Sequence, residues 1–183
     1  MTEKNIAQCL DNFIDQYMQL PAKHKVEFDS DWLSPCTAPD HTDGEYVNWR
    51  PVEQAGENSF AGMEEALELG MNEQLKSYYC RYYADHFEAM AARGPLSLLQ
   101  VWNKDDFERL QQNLVGHVLM KRKLKQAETL FFALTDEEDF IISVLNSTGE
   151  VVLERVGKEP QEVLATDLAS FIAQLKPHII DAE

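Results

Sequence analysis

The side chains with the most capacity for chemistry are carboxylates. Asp136, Glu137, Glu138 and Asp139 put four acids into one turn, while Glu57, Glu64 and Glu68 can line one stripe of a predicted helical region with Glu65 beside them. Such groups can work in pairs as general acid and base, or draw a cationic partner by charge. Adjacency says little about the first use in a chain with 32 acids against 16 bases and a formal net charge of -16. Each cluster also has a plain structural reading. Glu64 and Glu68 fit a solvated helix face, where like charges at i,i+4 cost an isolated helix about 0.2–0.5 kcal/mol. The acidic run fits a hydrated hairpin tip that discourages edge-to-edge association.

Other chemistry lacks its residues. The histidines His24, His41, His86, His117 and His178 show no HxH, HExxH or HxxxH spacing, so a metal would need ligands from distant loops. Asp85–His86 is a lone acid–histidine pair, and His117 follows Gly116 on a predicted helix; both fit packed or capping roles. Tyr78, Tyr79, Tyr82 and Tyr83 read as a packed aromatic patch. Cys9, Cys36 and Cys80 are odd in number and far apart without a CxxC, which implies reduced thiols. There is no GxGxxG, no GxxxxGK[ST] and no GxSxG. No catalytic residue, cofactor or metal site is therefore expected, and the chain reads as a binding protein.

The charge gives that reading a direction. An acidic surface repels phosphate backbones and anionic headgroups, so neither nucleic acid nor lipid is an expected direct partner. Residues 1–75 hold 15 acids and 4 bases; residues 76–183 hold 17 acids and 12 bases, with four of those bases between Lys121 and Lys125. One broad negative region suits a face that holds a basic partner. Trp49 and Trp102 are candidate apolar floors for lysine stems or cation–π contacts.

A hydrophobic share of 44% supports an ordered core, and the length fits a single domain over 1–183. The longest apolar run, Leu130 to Leu134, is too short to span a bilayer, and the first twenty residues lack a signal-peptide pattern, so a cytoplasmic protein is expected. Helical spacing of Ile6, Leu10, Phe13 and Tyr17 predicts a helix over 4–19, followed by a polar loop over 21–44. Alternation predicts a strand over 45–50. Helices follow from Ser59 and over 72–83, then a strand over 96–102 and a strong helix from Asn103 to about Lys125. Strands over 129–134, 140–145 and 150–156 form a meander. A last helix capped near Thr166 stops before Pro177. The order predicts an α+β fold: an antiparallel or mixed central sheet packed with helices, ending in a C-terminal three-strand meander and terminal helix.

The block Leu98-Leu99-Gln100-Val101-Trp102-Asn103-Lys104-Asp105-Asp106-Phe107, continuing through Glu108 to Gly116-His117, resembles the signature of the bacterial Syd family of SecY-interacting proteins. Ser34-Pro35-Cys36, Trp49-Arg50-Pro51, the Glu64 helix and Leu175-Lys176-Pro177 extend the resemblance along the chain. It implies a small α+β protein of the cytoplasm, loosely associated with the cytoplasmic side of the cell inner membrane through SecY. It further implies an acidic concave face docked on basic cytoplasmic loops of SecY, checking uncomplexed SecY and negatively regulating the translocase. Those loops are rich in Lys and Arg by the positive-inside rule. The family supplies no catalytic residues, and a monomer is the default. An immunity-type protein sequestering a basic toxin or nucleic-acid-binding protein would need the same surface. An enzyme would instead need a deep pocket of converging histidines or carboxylates.

Overall fold

The computed structural model describes residues 5–21 and 24–178, so the predicted helix start at residue 4 lies outside the described residues. Helix α1 (Ile6–Gln19) is capped by Asn5, whose side chain accepts from the amides of Ala7 and Gln8, and it buries the predicted Ile6, Leu10, Phe13 and Tyr17. Strand β1 (Lys25–Glu27) pairs with β2 (Tyr46–Asn48), in which Val47 faces in while Tyr46 and Asn48 face out. Strand β3 (Val52–Glu53) leads to α2 (Ala61–Leu67) and α3 (Glu73–Arg81), then to β4 (Tyr82–Tyr83), which pairs with β3. The remainder runs β5 (Phe87–Ala91), β6 (Gly94–Leu98), α4 (Lys104–Lys123), β7 (Thr129–Thr135), β8 (Phe140–Leu145), β9 (Val151–Arg155), β10 (Glu162–Ala165), α5 (Leu168–Ala173) and β11 (Lys176–Pro177).

Seven of these strands form a curled sheet in the order β10-β9-β8-β7-β6-β5-β11, antiparallel at every pairing. The α+β expectation holds. A parallel contact occurs among the described residues only as the isolated bridge Tyr83–Val101. The predicted meander is present as β7 to β9 and is prolonged by β10. Three strands of this sheet were not foreseen, nor were the short β1, β3 and β4 outside it, β1 falling in the predicted loop and β4 at the end of the predicted helix over 72–83. In β5, Glu88, Ala89, Met90 and Ala91 carry little β preference, and the strand forms because Phe87 and Ala89 are buried against β6. Strands β10 and β11 lie at the sheet edges, where short exposed segments leave no alternating pattern. The strand predicted over 96–102 ends at Leu98, and the last helix begins after Asp167 rather than Thr166, because the Asp167 carboxylate accepts from the Ser170 amide.

Side chains on the two sides of the sheet meet different layers. Phe132 packs edge-on against Tyr78 of α3 and Phe171 of α5, while Phe131, on the other face, meets His117 of α4. A bulge between Phe131 and Ala133 lets Phe132 and Ala133 both point into the core. Tyr78 and Tyr79 are fully buried, and their hydroxyls donate to the carbonyls of Leu99 and Phe131 at 2.7 and 2.8 Å. That is the packed-patch reading of the tyrosine run. The Arg81 guanidinium grips Asp11 through two hydrogen bonds of 2.7 and 2.6 Å and ties α3 to α1, which holds the Asp11 carboxyl below the usual range.

Helix α4 buries Phe107, Leu110, Leu114 and Val118 on one face, and Lys121 with them. Lys121, one of the four bases in the cluster from Lys121 to Lys125, is fully buried. Its Nζ lies 2.9 Å from Glu154 Oε1 of β9, itself fully buried, and donates to Gln126 Oε1 and to the Lys158 carbonyl at 3.1 and 2.8 Å. The carboxylate is held by charge, while the directed hydrogen bonds of the ammonium go elsewhere. His117 lies one turn back and bonds Thr129 Oγ1 at 2.9 Å. Burial, more than the opposing pull of Glu154, keeps its imidazole below the ordinary value of 6.5, and Lys121 pushes in the same direction as burial.

Two predictions follow from this cluster. Lys121→Met alone leaves Glu154 as an uncompensated buried charge and is expected to cost about 3–5 kcal/mol in urea unfolding, whereas K121M/E154L recovers most of that loss. The unfolded chain takes up a proton on His117 near the ordinary value of 6.5, whereas the folded chain resists it. Stability is therefore full above that pH and falls as the pH drops through it. The urea midpoint of the native protein is expected to decline from about pH 7 to about pH 5.5, and that of His117→Gln to decline less. The flattening is partial, because burial also lowers His24.

Candidate functional site

The segment between β1 and β2 has no regular structure, yet it is firmly held. Ser34 Oγ donates to the Trp102 carbonyl at 2.6 Å, Asn103 Nδ2 donates to the Leu33 carbonyl at 2.9 Å, and Cys36 Sγ donates to the Tyr83 carbonyl at 3.1 Å. Near its ends, Ser30 bonds Asp43 through both amide and hydroxyl, and the Phe28 amide donates to the Glu45 carbonyl at 2.8 Å. Burial pushes the Cys36 thiol up to about 11, so it is a packing group and not a nucleophile.

Pinned in this way, the segment forms one wall of a cleft of about 310 Å³. Glu27, Asp29 and Trp32 line it from β1 and the loop, and Asp85, Gln100, Trp102 and Asp106 line it from the segments that follow β4 and β6 and from the start of α4. No lysine or arginine lines it. The four acids come from three stretches of the chain, and three of them are fixed by local hydrogen bonds. Asp29 accepts from the Asp31 amide at 2.9 Å in a tight turn. Asp85 accepts from the His86 amide at 2.9 Å. Asp106 reaches back to the Trp102 amide at 2.8 Å while Asn103 accepts from the Asp106 amide at 2.8 Å, a reciprocal cap that starts α4. Arg109, one turn further on, lays its guanidinium over the Trp32 ring at 5.4 Å.

Asp85 bonds the backbone of His86 and not its ring, so the pair is no acid–imidazole dyad. His86 Nδ1 accepts the Gln100 amide proton at 3.0 Å, which fixes the ring proton on Nε2. Among the described residues no group of three histidines, cysteines or acids could hold a metal ion, and no helix is long and apolar enough to cross a membrane.

The residues singled out in the sequence fall in several places. Glu57 accepts from the Tyr83 hydroxyl at 2.5 Å and from the Ala55 amide at 2.9 Å, and the tyrosine contact lowers its carboxyl below the usual range. Glu64 is half-buried; it accepts from the Met71 amide at 3.0 Å and pairs with Lys76 at 3.3 Å. Glu65 and Glu68 are exposed, and Glu68 ends α2 in the left-handed conformation, φ 49°. Asp136, Glu137, Glu138 and Asp139 form the exposed turn between β7 and β8, with Asp139 3.2 Å from Arg155. These two groups do not share a wall. Asn146, just past the far end of β8, bonds the Asn72 amide and the Gly70 carbonyl beside α2, while the acidic turn precedes the near end. The length of β8 keeps them roughly 20 Å apart. Trp49 is 6% exposed, edge-on to Trp102 at 6.1 Å, and so supports the cleft from beneath without reaching a partner. Trp102 is half-buried and lines the cleft.

Glu27, Asp29 and Trp32 are not singled out in the sequence, Asp106 stands there only within the block around Trp102, and Asp85 only as half of a lone pair. The one local signal was an indole set among Asp29 and Asp31 in a polar loop.

A family model described as Syd protein (SUKH-2) matches residues 4–177. The chain is 50% identical over 174 residues to Protein Syd of Alteromonas mediterranea, covering 94% of this chain and 96% of that one. It is 44% identical over 182 residues to Protein Syd of Pseudoalteromonas atlantica, covering 96% and 98%. With Protein Syd of Colwellia psychrerythraea it shares 44% identity over 191 residues, covering 95% and 94%. None of these names is that of an enzyme.

The pinning of the loop is directly measurable. Ser34→Ala removes the bond to Trp102 and the acceptor of the Cys36 amide, 3.0 Å away. Hydrogen exchange at Cys36 is expected to quicken by about tenfold, as loss of one hydrogen bond implies, while protection in β7 and β8 stays unchanged.

Proposed function

The chain belongs to the Syd family of SecY-interacting proteins, and we propose that it binds basic cytoplasmic loops of SecY in the acidic cleft between the 28–45 loop and the start of α4. The observation that carries this reading is a cleft lined by four carboxylates and two indoles, with no lysine or arginine among its lining residues. A loop threaded there would place lysine or arginine heads at Glu27, Asp29, Asp85 and Asp106, with their stems over Trp32 and Trp102. Attraction would act over one Debye length, about 8–10 Å at ordinary ionic strength, so the complex is reversible and sensitive to salt. Exposed acids outside the cleft, Glu65, Glu68 and Glu138 among them, would add to the steering field. Glu57, exposed although it holds the Tyr83 hydroxyl, would add to that field as well, whereas Glu64, half-buried and paired with Lys76, would contribute less. Binding of this kind would hold the protein at the cytoplasmic side of the inner membrane. By occupying loops of uncomplexed SecY it would act as a check on the translocase.

Isosteric neutralisation tests the cleft without disturbing its hydrogen bonds. E27Q/D85N, at an exposed and a half-buried acid, is expected to weaken binding of a synthetic SecY loop peptide about tenfold in low salt, at under ~1 kcal/mol per charge. E65Q/E68Q on α2 is expected to change it less than threefold. Equal or reversed losses, measured by calorimetry, would move the binding face from the cleft to α2.

A further inference from the structure

We infer that a second cavity, sharing no lining residue with the cleft, receives a bulky apolar side chain carried next to a basic one on a partner segment. This does not rest on the SecY reading. The cavity, about 360 Å³, opens on the face of the sheet that carries α5. Its floor is Leu96 of β6, Ile142 of β8, Leu153 of β9 and Leu164 of β10, closed on one side by Phe171 and Leu175. It stays open because α5 is short. The helix ends at Ala173, and the chain then turns to pair Lys176 with Met90, so no further helix turn covers the ends of β8 to β10.

The charges at the mouth select among apolar ligands. Asp136 and Glu137, from the acidic run that the cleft leaves unused, stand at the rim, and among the described residues no ion pair or side-chain hydrogen bond engages their carboxylates. Arg93, the cation at the rim, is already paired with Glu162 at 3.2 Å. A fatty-acid carboxylate or a phosphate would meet uncompensated negative charge. A leucine or aromatic side chain flanked by lysine or arginine would bury its apolar part on the floor and set its cations against Asp136 and Glu137.

The test uses the full chain and two acetylated peptides, Lys-Lys-Phe-Lys-Lys and the same sequence with serine in place of phenylalanine. The phenylalanine peptide is expected to bind about tenfold tighter, the share of one buried aromatic ring. Amide shifts are expected at Leu96, Leu164 and Gln174. Leu164→Trp, which fills the cavity, is expected to abolish the preference. D136N/E137Q, on exposed residues that leave the core untouched, is expected to weaken binding of the phenylalanine peptide several-fold. Equal binding of the two peptides, shifts confined to the Trp32 and Trp102 region, or tighter binding of laurate than of the phenylalanine peptide would each overturn the inference.

Discussion

The hydrogen bond from Ser34 Oγ to the Trp102 carbonyl joins a stretch of chain with no regular structure to the first turn of the longest helix. Much else depends on that junction. Trp102 has its amide held by Asp106, and the next residue, Asn103, both caps α4 and reaches the Leu33 carbonyl. The same few side chains therefore start the helix, close the loop and floor the cleft. A loop in this position would ordinarily fluctuate, and a fluctuating wall would spread its acids through solvent. Held at Leu33, Ser34 and Cys36, it instead faces a fixed opposite wall. Preorganisation of this kind limits the ordering cost of binding to the partner alone.

The net charge acquires a geometry once the bases are followed to their contacts. Lys76 is taken by Glu64 and Glu73, Arg81 by Asp11 and Glu53, Arg93 by Glu162, Lys121 by Glu154, Arg122 by Glu128 and Arg155 by Asp139. These six of the sixteen bases mostly join one element to another. Acids outnumber them, and the acids that line the cleft are in none of these ion pairs. Burial explains the sharpest case. An ion pair without solvent is stable only as a pair, so Lys121 and Glu154 fix where α4 lies across β9 and add nothing to the outer field.

How far the sequence could be read follows from where periodicity is strong. Helices α1 and α4 and strands β7 to β9 repeat apolar residues at helical or alternating spacing, and each appears close to its predicted place. Strand β5 did not show itself, because helix-forming residues are held extended by neighbours distant in the chain. Lys121 could not be recognised as buried, since its partner, Glu154, lies on β9, far along the chain. The site was less legible for a related reason. Adjacent acids draw the eye, yet adjacency here leads to local use: Glu57 holds Tyr83, Glu64 holds the Met71 amide, and Asp139 meets Arg155. Glu27 and Asp29 are near neighbours, but Asp85 and Asp106 join them only through the fold, so no window of the chain contains all four. The family, by contrast, was legible from the block around Trp102 and Asn103, because the loop anchor, the helix cap and the cleft floor coincide there.

The central claim is that a SecY loop lies in the cleft between Asp29 and Asp106. Site-specific photocrosslinking in native membranes tests it most directly, with the reactive group placed in turn at Thr37 within the cleft and at Glu68 on α2. The account predicts a crosslink to SecY from Thr37, lost in high salt, and none from Glu68. Crosslinking from Glu68 with none from Thr37 would contradict it.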